Sequence, residues 1–508
     1  MAGVGLGNSS RLAKFKVVKL ANLQITNLRS WPWWMVVVVA VATWLRVWQL
    51  DTTAIFFGDA AHDLITASQA VHQFQLPLLG IASSHPRFHQ GPITIWWEML
   101  MIYLGINNLW GISLSLALIS LIAVIGLYEL MSTQISHRSG QIASLILAVS
   151  PLAVAHARMT YHITPLPLMT VIWLWASTKI SAQSTWRWLI WGLSWAGIFQ
   201  FELATFPLLG VAGWIFWRTK SWLVVGWPRK LGWLITGLGF GLWPQIWYDL
   251  THNWSQLGGF SWWVIRQIVT FGWGKNQQLA GPNLIDTGRT IVTYWSRIFA
   301  VDALPIGLVW LIIGLISCYW LSKKIYNRFS RPIPQLSLIE ISLISIWLLL
   351  VGMVVQGSPS EAYFPPLLIL IPAVTGYGLS LFKNRWATVI TGSIWIWAAI
   401  TGVKIYQHHF FVSQDRGFSY GPSVEDQRQI IILAHRLTNG NFRFMTTDSA
   451  GKFPNYFDNL RWLAGEQGWA ENIQTGWPIV IDQPGSLLNN YPAITKFTIG
   501  SKEIYYFN

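Results

Sequence analysis

A single cysteine, Cys318, stands in 508 residues, and it lies inside an apolar run. That excludes an intrachain disulfide and a thiolate metal site. Charge is nearly as scarce: Asp, Glu, Lys and Arg make up 11% of the chain, against about a quarter in a soluble domain. Acids are the rarer sign, 20 against 34 basic residues. The resulting +14 would suit a nucleic acid, but the basic residues fall in short clusters between apolar runs. Such clustering is a membrane-topology signal, so no nucleic-acid partner is expected. No internal repeat and no low-complexity segment stands out. Nor is a cleavable signal peptide evident. The first apolar stretch begins near Trp31 behind Arg11, Lys14, Lys16, Lys19 and Arg29, and reads as an uncleaved anchor with its amino end inside.

What is abundant is apolar length. The chain is 53% hydrophobic and carries 35 tryptophans, which favour the headgroup zone of a bilayer. Runs of about 20 apolar residues can each cross a hydrocarbon core of about 30 Å, so the fold class is a polytopic α-helical membrane protein. About 11 transmembrane helices are predicted, at 33–50, 108–131, 141–157, 163–180, 187–200, 202–217, 231–248, 302–322, 337–356, 363–382 and 386–405. The stretch 187–217 is long for one helix and short for two. Lys179 and Arg187 precede it, and Arg218, Lys220, Arg229 and Lys230 follow it. Keeping both clusters inside requires an even number of crossings, hence a short hairpin.

The predicted organisation is a cytoplasmic basic N-terminus (1–30), a transmembrane domain (31–406) with external loops 51–107 and 249–301, and a tail (407–508) outside the cell membrane. In the tail, DQRQIIILAHRL reads as an amphipathic helix, FRFMTT and PIVIDQ as strands, and FTIGSKEIYYFN as a hairpin. A small extracytoplasmic α/β domain is expected there.

Chemistry gathers first in FFGDAAHDLITASQAV. Asp59 and Asp63 are four apart and His62 is three from Asp59, so a helix puts all three on one face. Paired carboxylates suit a general base with a helper, or a divalent metal held by oxygens. The bland alternative is a helix cap at Asp59 beside a solvated Asp63. In the same loop, HPRFHQGP sets His85, Arg87 and His89 on a Pro/Gly-punctuated segment, where Arg87 could pair with a phosphate. Arg158 and His162 close the third span on its outer side, where an arginine calls for a partner. Glu202 stands at the tip or in the wall of the hairpin, and an intramembrane acid is a functional candidate by default. The second loop adds Arg266, Lys275, Arg289 and Arg297 among aromatics, and Glu361 and Tyr363 mark the outer mouth of the tenth span.

GDAAHD, PLLG, HQGPITIWW, the SP…AR before the fourth span and YFPPLLILIPA, in that order, resemble the membrane glycosyltransferases of the C type (the GT-C fold). The nearest branch is that of the protein O-mannosyltransferases and aminoarabinose transferases. The resemblance runs from about residue 33 to 405. It implies a hexosyl- or pentosyltransferase that takes its sugar from a polyprenyl-phosphate donor on the outer face. The sugar passes with inversion to a lipid, glycan or protein acceptor. By position Asp59 matches the family's first-loop acid and Asp63 a second acid of bacterial relatives, while Arg158 matches an arginine at the same span end. The expected catalytic residues are Asp59 and Asp63. The expected substrate-binding residues are His62, His85, Arg87, His89, Arg158, His162, Glu202, Lys275, Arg289, Glu361 and Tyr363.

The leaving group is already a phosphate, so a basic side chain suffices and the mechanism requires no cofactor. A Mg²⁺ or Mn²⁺ ion at Asp59 and Asp63 ranks second. The expected location is a bacterial plasma membrane, with the N-terminus cytoplasmic and the tail outside. The runners-up are a transporter or flippase, and a non-catalytic binding subunit for a lipid-linked saccharide. A transporter predicts paired half-chain repeats and charges at mid-membrane, and neither is evident.

Overall fold

The computed structural model describes residues 33–507 except 84–87, 181–185, 220–225, 273–283, most of 300–336, 358–359, most of 382–421, 448–455, 473, 483–493 and 500–501. Nearly all of the predicted spans 302–322 and 386–405 therefore lies outside the described residues.

The chain opens with α1 (Trp33–Val47), and the first loop then folds into α2 (Leu50–Thr53), α3 (Gly58–Gln73) and α4 (Ile93–Tyr103). Helices α5 (Leu109–Gln134), α6 (His137–Val149), α7 (Pro151–Ala157), α8 (Leu166–Lys179) and α9 (Trp186–Phe201) follow. A 3-10 turn (Leu203–Leu208) leads into α10 (Leu209–Thr219), α11 (Trp227–Gly241), α12 (Trp243–Thr251), α13 (Ser255–Gly272) and α14 (Leu284–Phe299). Beyond it stand α15 (Leu338–Gln356) and α16 (Leu367–Ser380).

Among the described residues, two helices are long and apolar enough to cross a membrane, α5 and α15. At 26 residues α5 is about 39 Å long, more than the hydrocarbon core requires. The predicted span 141–157 is broken rather than straight: α6 and α7 meet at 63° and only together have the length and apolarity of a span. Pro151 has no N–H to continue α6, and Ser150 turns its side chain to cap the N–H of Ala153. Among the described residues two helices meet that length and apolarity, or three with the bent pair taken as one span, and Trp33–Val47, Leu203–Arg218 and Leu367–Ser380 are shorter apolar helices.

The predicted hairpin is legible in its rings. Trp188 at the start of α9 stacks on Phe216 near the end of α10, centroids 5.6 Å apart, so the chain doubles back at the 3-10 turn. Several tryptophans serve the interior rather than the headgroup zone: Trp173, Trp188, Trp191 and Trp195 are fully buried, with Trp173 and Trp195 edge to face at 5.1 Å. Helices α9 and α11 touch backbone to backbone. A Cβ on Gly237 would fall 2.3 Å from the Leu189 carbonyl oxygen, and one on Gly192 2.3 Å from that of Leu234. Small residues permit this approach, and nothing there can yield. Gly237→Val is expected to cost at least about 1–3 kcal/mol, read as a lower melting temperature and a poorer yield of monodisperse protein. An unchanged melting temperature would show that the contact is not needed.

The tail holds α17 (Val424–Thr438), β1 (Phe442–Met445), α18 (Asp458–Glu466), β2 (Trp477–Asp482), β3 (Ile494–Ile499) and β4 (Lys502–Phe507). The sheet order is β1-β2-β4-β3, with β1 parallel to β2 and the other pairs antiparallel. Ser423 and Asp426 form a capping box that starts α17. Leu50, Phe56, Leu64 and Ile112 share one apolar core with Ile430, Phe444, Leu460 and Ile481, so the tail is seated on the first loop.

Candidate active site

Helix α3 begins where Phe57, still extended, hands over to Gly58. Just upstream, Ile55 pairs with Met159: the Ile55 N–H donates to the Arg158 carbonyl at 2.8 Å, and the Thr160 N–H donates to the Ile55 carbonyl at 3.4 Å. This bridge lays the segment after α7 beside the first turn of α3. Tyr161 meets Phe57 edge to face at 4.9 Å. Asp59, in that first turn, remains half-buried and reachable, whereas Asp63 one turn on is buried. Burial pushes the Asp63 carboxyl up to about 6; His162 and His62 pull it down, and the Asp59 charge raises it. Burial, joined by Asp59, Glu202 and Asp63, raises the Tyr161 phenol well above its usual range.

Glu202 ends α9 and is buried, not solvated. Its Oε1 accepts from the Ala204 N–H at 2.9 Å, capping the 3-10 turn, and from Gln90 Nε2 at 3.1 Å. Gln90 Oε1 accepts in turn from the Leu203 N–H at 3.0 Å, so one amide ties the loop before α4 to the hairpin tip. Glu202 Oε2 lies 3.9 Å from His162 Nε2. Glu361 gathers a second group: His156 Nε2 donates to Oε1 at 2.8 Å, and Arg297 Nη1 donates to Oε2 at 3.3 Å. The Arg297 guanidinium also stands 5.3 Å over the Tyr294 ring. Ala362 packs against Ile55, Met159 and Ile163, which brings the Glu361 group beside the Asp59 group. Tyr363, in the same turn, accepts from Gln356 Nε2 at 3.4 Å.

The structure thus brings together Asp59, Asp63, His162, Glu202, Glu361 and Tyr363, and puts other expected residues elsewhere. Arg158 turns inward, its Nη1 donating to the Leu45 and Trp48 carbonyls at 3.0 and 2.9 Å and its Nη2 to Thr53 Oγ1, which satisfies the carbonyl end of α1. His89 is tied to Gln256 of α13 by its N–H at 2.6 Å. Arg289 is exposed on α14, eight residues before the buried Arg297. His85, Arg87 and Lys275 lie outside the described residues.

His62 faces the tail, its Nδ1 3.1 Å from Asp458 Oδ2 on α18. Asp458 also accepts from Arg461 at 2.8 Å, and Arg461 from there reaches Glu471. The hydrogen bond to Asp458 raises the His62 pKa above its ordinary value, burial opposing it and the Asp458, Asp63 and Asp59 charges adding to it. A raised folded-state pKa gives stabilisation that is full below about pH 6.5 and is lost as pH rises through the folded value. Asp458→Asn is therefore expected to lower the melting temperature more at about pH 5.5 than at about pH 8.5. Equal losses at both would remove the protonated pair from the account.

Sequence reading singled out neither Glu98, Gln90, His156 nor Asp458. Glu98 had a signal, an acid amid the apolar ITIWWEMLMIY of α4. His156, in PLAVAHA, had a weaker one of the same kind. Gln90 and Asp458 had none, because their partners are distant in sequence.

Among the described residues no group of three or more His, Cys, Asp or Glu could hold a metal ion. Asp59 and Asp63 accordingly have no third ligand of that kind to complete a site.

ArnT from Cupriavidus metallidurans, solved bound to undecaprenyl phosphate and in the apo state, superposes with a TM-score of 0.59. The match covers 93% of this chain and 97% of that one at 13% identity. This chain has the GT-C fold. A family profile described as dolichyl-phosphate-mannose-protein mannosyltransferase matches residues 84–242, less than a third of the chain. That match covers α4 to α11 of the GT-C fold. The oligosaccharyltransferase of Archaeoglobus fulgidus, solved in complex with zinc and sulfate, has a TM-score of 0.48 at 12% identity, over 79% of this chain and 55% of that chain. Among curated proteins, none matches the sequence.

Proposed function

We propose that this protein is a glycosyltransferase that moves a sugar from a polyprenyl-phosphate donor to a lipid, glycan or protein acceptor on the extracytoplasmic face. The observation that carries the reading is the pair of acids one turn apart on α3, one reachable and one buried, within the GT-C fold. In this scheme Asp59 takes the acceptor hydroxyl proton as the new oxygen–carbon bond forms at the sugar's anomeric carbon. The bond to the phosphate breaks on the opposite face, and polyprenyl phosphate leaves with its electron pair. Asp63 orients Asp59 and the acceptor, and a carboxylate beside a second one takes up a proton more readily. Glu202, held by Gln90, and His162 beside it wall the acceptor side. Arg297, steadied by Glu361, is the cation best set to meet the phosphate, with Arg289 and Lys275 of the same loop as outer contacts. No step passes through a metal.

The test is to incubate purified protein with a mixture of polyprenyl-phosphate sugars and follow the lipid by mass spectrometry. Release of free polyprenyl phosphate is expected, faster when a suitable acceptor is added. Donor left intact with lipid, glycan and peptide acceptors alike would overturn the reading and direct attention to transport.

A further inference from the structure

Glu98 lies in the middle of α4, the helix that packs along α3. It is fully buried, and among the described residues neither of its oxygens has a hydrogen-bond partner. One turn back on the same face, Thr94 Oγ1 is buried in the same condition. On α3, Asp63 is buried and its Oδ1 likewise lacks a partner. Native proteins rarely strand so many buried oxygens in one place without a chemical reason. An ionised carboxylate with no donor is the least tolerable of these groups, and a protonated one the cheapest form.

The charge that bears on Glu98 is that of Asp63. Burial first, and Asp63 second, push the Glu98 carboxyl well above the usual carboxylate range. The groups bearing on Asp63 are His162, His62 and Asp59, two of which favour its ionised form. Two buried carboxyl groups whose charges bear on each other cannot both ionise readily, so one proton between them is the balanced state.

We propose that Asp63 and Glu98 form a proton-sharing acid pair in which Glu98 keeps the proton and Asp63 carries the charge. Glu98 is then a positioning residue: its O–H faces the unpartnered side of Asp63 and holds that carboxylate ionised beside Asp59. The role deepens the transferase reading above and rests on it for its catalytic consequence, but the shared proton itself does not.

Two variants separate the parts. Glu98→Gln keeps the shape and an N–H donor but cannot ionise, whereas Glu98→Leu removes the donor. In transfer assays, Glu98→Gln is expected to keep the acid limb of the wild-type kcat/KM profile and to lose any alkaline fall that comes from deprotonating Glu98. Glu98→Leu is expected to move the acid limb up by about one to two pH units, the loss of a charge-assisted hydrogen bond. Independently of turnover, infrared spectra of purified wild type near pH 7 should contain a protonated-carboxyl band that Glu98→Gln lacks and Asp59→Asn retains. The same band in wild type and Glu98→Gln, or identical pH profiles in all three proteins, would overturn the pair. If no protein turns over donor, the transferase reading fails while the infrared comparison still decides the shared proton.

Discussion

Asp59→Asn is expected to lower transfer by about 10²–10⁴-fold, the range a positioned general base contributes. The substitution preserves size and removes only the capacity to take a proton. Asp59 is half-buried in the first turn of α3, where a negative charge favours the helix N-terminus by about 0.3–1 kcal/mol. Single-turnover rates at saturating donor, alongside melting temperatures, separate the two effects. Full activity in a well-folded Asp59→Asn would remove the base from this position, and with it the division of labour between the two acids.

Asp63→Asn is expected to inactivate and to stabilise at once. The Asp63 carboxyl has its pKa raised by burial to about 6 from 3.8. The folded state thus binds this proton more tightly than the unfolded state. The stability Asp63 allows is highest below about pH 4 and declines as pH rises to about 6, by about 3 kcal/mol for a shift of about two units. Asparagine carries no charge to bury. The variant should match wild type near pH 4 and exceed its melting temperature at pH 7, while transfer falls. A gain in stability with a loss of activity is what a strained functional residue gives. Equal melting temperatures at pH 7 would mean that the buried charge has found compensation elsewhere.

Docking of the tail bears on both experiments. Gln427 of α17 donates to the Phe56 carbonyl at 2.8 Å, immediately before α3, and Asp458 holds His62 within it. The helix bearing both acids is gripped from the tail as well as from the transmembrane part. The same contacts put the first loop and the tail on one side of the protein, in keeping with the even number of crossings, ten, predicted between them.

Much of this was legible in the sequence for a local reason. A run of apolar residues, a capping serine, an alternating strand or a proline that halts a helix acts over a few residues, so hydropathy and spacing revealed α5, α15 and the tail's helix and strands, and the flanking basic clusters revealed the hairpin at 187–217. Asp59 and Asp63 were legible because a helix fixes which residues four apart share a face. The break at Ser150–Pro151 was not, since it divides a run whose hydropathy is continuous.

The sequence by itself determined a helical membrane protein with an acid pair in its first loop and a small α/β tail. Only the tertiary structure decided what those acids face. His62 meets Asp458 across 396 residues, Gln90 meets Glu202 across 112, and the helix bearing Glu98, α4, packs on α3, which bears Asp63. Arg158, expected to bind substrate, donates from its Nη1 to the Leu45 and Trp48 carbonyls at the end of α1. The reason is physical: a buried polar group takes whatever partner packing brings within about 3 Å, and sequence spacing carries no record of that choice.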